Sequence, residues 1–281
     1  MSRFNKAYVE ITNICNLSCP FCHGTKRAPR TMSADEFAEV AQKLRGYTEH
    51  IYFHLLGEPL LHPELSEMLS IAAENGFRCC ITTNGFLLKQ CADTLLGADK
   101  LYKLSVSLHS FEVNGLSENL RAYLEDVWSV CEKLSERGTI CALRLWNDGG
   151  ANALNDEIYA FLREKTGLDS WPETRRGSRH LCGSINLENA AKFDWPDINA
   201  PEADTRFCRG LRDQIGVLSD GTVVPCCLDA DGEISLGNIF SHELDDILSS
   251  PRAKALYEGF SNRRPSEELC RKCGYATRFN K

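Results

Sequence analysis

The sequence predicts an α/β fold built on a mostly parallel sheet with helices outside, either doubly wound or an open barrel. Three observations predict it. Strand and helix patterns alternate from residue 6 to residue 165, each helical pattern carries a single apolar face, and glycines punctuate the ends of the helices. After Gly167 the alternation breaks, and a different, cysteine-marked pattern begins at Cys208. Two units are therefore expected, residues 1–205 and residues 206–281.

The elements follow in order. Lys6–Thr12 alternates apolar and polar residues, the mark of a half-buried strand. Ser33 and Glu36 form a capping box ahead of Phe37, Val40, Ala41 and Leu44, which recur at helical spacing until Gly46. His50–Leu56 reads as a second strand, and Leu65, Met68, Leu69 and Ala72 as the buried face of a second helix ending near Gly76. Cys79–Thr83 is a third strand closed by Asn84 and Gly85, Leu87–Leu96 a short helix, and Lys103–His109 a fourth strand. Leu120, Tyr123, Leu124, Val127, Cys131 and Leu134 mark the clearest amphipathic helix, stopped by Gly138. A fifth strand (Ile140–Trp146), a fifth helix (Asn155–Lys165) and a sixth strand near Ser184–Leu187 complete the first unit. In the second, Gln214–Leu218 and Thr222–Cys226 flank Asp220–Gly221, a hairpin signal, and short helices near His242–Leu248 and Arg252–Phe260 precede Cys270 and Cys273.

The net charge of −7 argues against a nucleic-acid partner or a polybasic membrane anchor. No apolar run approaches the roughly 18 residues that span a bilayer, and the first residues lack the apolar centre of a signal peptide. A cytoplasmic protein without a nucleic-acid or membrane partner is expected. In that compartment its fourteen cysteines stay reduced, so close-spaced ones read as metal sites before disulfides. Cys79, Cys80, Cys91, Cys131, Cys141 and Cys182 are scattered and read as small core hydrophobes.

Cys15, Cys19 and Cys22 stand in the loop after the first strand, at the sheet edge where parallel α/β folds bind ligands. Three soft thiolates in one loop suit an iron–sulfur cluster or zinc, and zinc normally takes four ligands. His23 is the one nearby candidate for a fourth, and it is crowded. A cubane cluster held by three thiolates keeps one iron open to a ligand. Cys208, Cys226, Cys270 and Cys273 form a second set, brought together by the hairpin turn. Its alternatives are a second cluster or a structural zinc, with Cys227 an alternative to Cys226.

The spacing from Cys15 to Cys22, with Phe21 before the last cysteine, resembles the signature of the radical S-adenosylmethionine (SAM) superfamily, and the resemblance runs through about 150 residues of matching βα order. It implies a partial (β/α)6 TIM-like barrel and a 4Fe–4S cluster that binds SAM through its open iron. Gly57, Glu58 and Pro59 resemble the family segment whose backbone meets the SAM amino group, with Leu56 in place of that segment's first glycine. Asn84 follows the third strand in the family's manner, and Ser107 and Arg144 match positions that meet the SAM carboxylate.

The second cysteine set resembles the SPASM and twitch extensions of the same family, implying an auxiliary 4Fe–4S cluster. The chain ends eight residues past Cys273, which favours the single-cluster twitch form, and four protein ligands there imply an electron relay. The expected activity is reductive cleavage of SAM to a 5′-deoxyadenosyl radical and hydrogen abstraction from a peptide or small-molecule substrate. The strand start at residue 6 leaves no room for an N-terminal leader-binding domain, which weakens a leader-peptide substrate. The alternative is a non-catalytic iron–sulfur electron carrier or a zinc-stabilised binding module.

Three further features are open at this level. Lys26, Arg27 and Arg30 are either a solvated loop or a landing site for a flavodoxin- or ferredoxin-type electron donor. Arg175, Arg176, Arg179 and His180 either face solvent or clamp a substrate anion, and His54 and His109 are either core or cavity residues.

Overall fold

The computed structural model describes residues 4–115 and 119–280. Ten strands form one sheet in the order β10–β9–β8–β1–β2–β3–β4–β5–β7–β6. The parallel run is β1 (Lys6–Val9), β2 (His50–Tyr52), β3 (Arg78–Thr83), β4 (Leu101–Ser107), β5 (Ile140–Asp148) and β7 (Ile185–Ala191). The helices between them are α1 (Ala34–Leu44), α2 (Leu65–Glu74), α3 (Ala92–Gly97), α4 (Leu120–Glu136) and α5 (Asn155–Thr166). Lys6 and Tyr8 on β1 line the same chamber as Arg144 and Trp146 on β5, so the sheet curls into an open barrel rather than lying flat.

Local chemistry explains the helices. The Ser33 hydroxyl accepts the Glu36 N–H, and the Glu36 carboxylate accepts the Ser33 N–H at 2.9 Å, so the expected capping box is complete. Phe37, Val40, Ala41 and Leu44 are fully buried on α1, and Leu120, Leu124, Val127, Cys131 and Leu134 on α4. Each large apolar side chain removed from water in this way contributes about 1.5–3 kcal/mol. Cys79, Cys80, Cys131 and Cys141 lie in the core as expected, whereas Cys91 and Cys182 are only half-buried.

Three expectations need correction. The second strand stops at Tyr52 rather than Leu56, because the chain lifts away to place Leu55–Glu58 at the barrel mouth. The third helix begins at Ala92, since Leu87–Cys91 is spent in turns that follow Gly85. The sixth parallel strand has an antiparallel partner, β6 (Arg179–Cys182), so Arg179 and His180 belong to the sheet edge rather than to a free basic loop.

The C-terminal segment does not stand apart. β8 (Gln214–Val217) pairs in parallel with β1 and antiparallel with β9 (Thr222–Val224), to which β10 (Gly237–Asn238) adds. Helices α6 (Leu244–Ser249), α7 (Pro251–Ser261) and α8 (Glu268–Arg271) follow. Among the described residues, no helix is long and apolar enough to cross a membrane.

Candidate active site

The carboxyl ends of β1 to β4 surround a cavity of about 540 Å3, where the loops of a parallel barrel normally hold ligands. Cys15, Cys19 and Cys22 line it together with Phe21, Gly57, Glu58, Asn84 and Ser107. Pro59 and Arg144 are not among its walls. Pro59 is buried at the start of a helical turn beside it, and Arg144 lines the adjoining chamber.

The walls are fixed by short-range chemistry. Gly57 has φ +76°, and a Cβ there would sit 2.2 Å from the Thr12 carbonyl oxygen, so only glycine lets this turn close on the strand that leads into the cysteine loop. Glu58 is 2% exposed, and its carboxylate accepts the Asn84 N–H at 2.7 Å and the Leu60 N–H at 3.1 Å, tying the end of β2 to the end of β3. Burial pushes the Glu58 carboxyl above its usual range against those donors. Asn84 donates to Asn16 at 2.8 Å, and its side chain also reaches the Cys15 sulfur at 3.9 Å.

Asn114, which the sequence reading did not single out, donates to the Cys19 Sγ at 3.2 Å and accepts from the Ser18 N–H. Burial pushes the Cys15 and Cys19 thiols up, with these donors pulling the other way.

The loop is anchored from below. Arg27 donates to both oxygens of Glu10, a carboxylate 0% exposed, and to the Ala230 carbonyl. Arg30 pairs with Glu36 and with the Ser219 carbonyl. Both arginines tie the loop to its neighbours, Arg27 largely buried and Arg30 partly exposed. His23 is turned to Asp231, 3.0 Å away, and not to the thiols.

A three-thiol set without a fourth side-chain donor fits an iron–sulfur cluster that keeps one iron open. Among the described residues, no three His, Cys, Asp or Glu side chains converge closely enough for a single ion. The thiols instead rim a cavity wide enough for a larger body.

A second chamber of about 420 Å3 continues from the first, sharing Phe21, Cys22, His54, Thr82, Ser107 and Trp195. His54 and His109 both line it, which settles them as cavity residues. Its far wall holds Cys227 and Tyr275, and beyond lies a third cavity, of about 410 Å3, reached by Cys208, Cys226, Cys227 and Cys273. Cys270 is absent from that lining, yet burial pushes its thiol well up, with Cys208 and Cys273 adding to the effect. Burial also pushes Cys226 well up, with Cys227, Cys208 and Cys270 adding to the effect. Cys227 also lines the second chamber, as do Tyr8 and Lys6. Arg175 and Arg176 line a further cavity with Lys103, Trp146 and Glu188, and Arg176 also lines the third cavity.

Comparison with known proteins agrees with this geometry. The model of the radical SAM superfamily matches residues 9–162, more than half of the chain, and that of an iron–sulfur cluster-binding domain, SPASM, matches residues 208–274. A probable GTP 3′,8-cyclase of Sulfolobus acidocaldarius is 36% identical over 107 residues, which cover 37% of this chain and 34% of the cyclase. The chain thus spans about a third of the length of that relative. The AdoMet-dependent heme synthase of Nitratidesulfovibrio vulgaris is 22% identical over 94% of this chain and 82% of its own length. The crystal structure of BtrN in complex with AdoMet and 2-DOIA shares the fold, with a TM-score of 0.61 and 19% identity over 98% of this chain and 94% of that one. With a family match that runs from Val9 on the first strand to Leu162 on the fifth helix, the chain belongs to the radical SAM superfamily, whose cofactors are SAM and a 4Fe–4S cluster, and it carries a SPASM-type domain for auxiliary iron–sulfur at its C-terminal end.

Proposed function

We propose that this protein reductively cleaves SAM and uses the product radical to abstract a hydrogen atom from a peptide or small-molecule substrate held between two cysteine sets. The observation that carries the reading is the continuous run of cavities from Cys15, Cys19 and Cys22, past His54 and Trp195, to Cys227 and the C-terminal thiols. When bound, the first cluster supplies the electron that splits SAM into methionine and a 5′-deoxyadenosyl radical.

The chain's own residues bind and orient. Cys15, Cys19 and Cys22 hold the first cluster, and Gly57, Glu58, Asn84 and Ser107 line the SAM site. Arg144 lines the adjoining chamber, from which it would meet the SAM carboxylate. Phe21, tilted against His109 with ring centroids 4.9 Å apart, and Trp195, which donates to the Phe21 carbonyl at 3.1 Å, line the passage with apolar surface.

Cys208, Cys226, Cys270 and Cys273 hold the auxiliary cluster; three of them line the third cavity, and Cys270 stands three residues from Cys273. Cys227, which also lines the substrate chamber, is then no ligand. With four protein ligands the auxiliary cluster relays an electron rather than binding substrate. Residues 1–205 act as the barrel and 206–281 as the auxiliary domain. A flavodoxin- or ferredoxin-type donor supplies electrons in the cytoplasm, where the thiols stay reduced. Anaerobic incubation with SAM and dithionite tests the reading. Release of 5′-deoxyadenosine supports it, and its absence from fully reconstituted protein leaves only an electron carrier or a zinc-bound module.

A further inference from the structure

The chamber between the two cysteine sets has an unbalanced charge. Lys6 from β1, Lys103 from β4 and Arg144 from β5 line its wall, the exposed Lys192 stands at its rim, and no carboxylate lines it. One acid stands behind them. Glu188 meets Lys103 through Oε1 at 2.8 Å and Arg144 through Oε2 at 3.2 Å, so both its oxygens are already engaged. The Lys6 ammonium lies over the rings of Tyr8 and Tyr52, 5.2 and 5.6 Å from their centroids, and among the described residues it has no carboxylate partner at ion-pair distance. Burial pulls that ammonium below the usual lysine range, as expected of a cation whose counter-ion is missing.

A fourth group points the same way. Among the described residues the buried His54 Nδ1 has no hydrogen-bond partner, and the ring stands edge-on to Tyr8 at 5.6 Å. Burial, with Arg144 and Lys6 nearby, holds the imidazole neutral, leaving an N–H to offer to an acceptor. Buried cations and idle donors are unfavourable unless a ligand completes them. Tyr8, Tyr52 and Trp146 supply the apolar walls typical of a small-molecule site.

We propose that this chamber seats the substrate by a carboxylate, placed among Lys6, Lys103 and His54, and supplied either by a small carboxylic acid or by the acidic side chain of a peptide. The inference rests on the radical SAM reading, which assigns the free face of Arg144 to SAM. Lys192 is solvent-exposed at the rim, and the three cations set in the wall less Glu188 and the SAM carboxylate leave one excess charge, which matches a carboxylate better than a phosphate dianion.

The test is anaerobic calorimetry on the reconstituted, SAM-saturated enzyme. The probes are 3-phenylpropionate, its neutral amide, N-acetylglutamic acid α-amide and inorganic phosphate. The expected result is that at least one carboxylate binds ten or more times tighter than the neutral amide. Lys6→Met and Lys103→Met should each erase most of that preference while leaving SAM affinity unchanged. The tighter of the two carboxylates tells a free acid from a peptide side chain.

Equal affinity for acid and amide in the wild type, which needs no variant to fold, overturns the proposal, as does failure of every acid to bind. So does tighter binding of phosphate. If the lysine variants weaken SAM instead, or shift the auxiliary cluster potential without altering acid binding, the cations serve those groups and the proposal fails. Release of 5′-deoxyadenosine by the wild type without any acid is measured alongside. Its loss sinks the radical SAM reading, whereas its presence with indifferent acid binding sinks this inference alone.

Discussion

Asp231 accepts a hydrogen bond from His23 at 3.0 Å, so the loop that follows Cys226 and Cys227 holds the loop that carries Cys22. The same carboxylate accepts from the Thr25 hydroxyl at 3.1 Å and from the Lys26 N–H at 3.0 Å. The two cysteine sets are thereby braced against each other without sharing a ligand.

Replacing Asp231 by Ala removes three bonds and should cost about 1–3 kcal/mol of stability. With the loop loosened, SAM affinity should fall roughly fivefold while auxiliary iron is retained. Burial raises the Asp231 carboxyl, but the donors from Lys26, His23 and Thr25 outweigh it and hold it below the ordinary value of 3.8. The brace is then complete above that value and lost as pH falls through the lower one. Urea unfolding of the apoprotein should show this acid limb in the wild type and not in Asp231→Asn. An unaltered SAM affinity in Asp231→Ala would show that the brace has no part in the site.

Arg27→Met should be more damaging than the loss of an exposed ion pair. It strands the fully buried Glu10 with only the Ser219 N–H and hydroxyl as donors, at a cost of about 3–5 kcal/mol. The double variant Glu10→Gln with Arg27→Met should recover part of the loss in thermal unfolding, because no buried charge is then left alone.

Gly57→Ala and Gly138→Ala make a controlled pair. Both glycines have positive φ, but a Cβ at Gly57 meets the Thr12 backbone, whereas one at Gly138 meets open space. The first substitution should cost about 3 kcal/mol and lower iron uptake, the second only about 1 kcal/mol. Similar melting temperatures for the two would contradict the close approach at Gly57.

Iron content separates the two cysteine sets. Reconstituted protein should carry close to eight iron atoms, of which the triple variant Cys15→Ala, Cys19→Ala, Cys22→Ala loses about half. Cys226→Ser should lose the other half, while Cys227→Ser keeps it. Unchanged iron in the triple variant would refute the assignment of that loop.

Much of this was legible in the sequence because it is written locally. The Ser33–Glu36 box, the apolar stripe of α4 and the Asp220–Gly221 hairpin each depend on neighbours a few residues away, and each appears where expected. The cysteine loop was legible from spacing alone. What escaped depends on distant partners. Nothing near Asp231 signals that it meets a loop some 200 residues earlier, and Asn114 shows its role only once it lies against Cys19. The alternation of Lys6, Tyr8 and Glu10 announced a strand face but not that the face turns into a chamber. The basic residues around Arg175 drew attention to charge and hid the turn that starts β6.

The parallel seam between β1 and β8, running from Lys6–Gln214 to Val9–Val217, has a consequence for biogenesis. During synthesis β1 waits for more than two hundred further residues before its second neighbour exists. Throughout that interval one rim of it is bare and available to stray strands of other nascent chains. Slow translation or an early stop should therefore send this protein into aggregates. Nor can its tail be traded for that of a relative without recutting the seam that the tail completes.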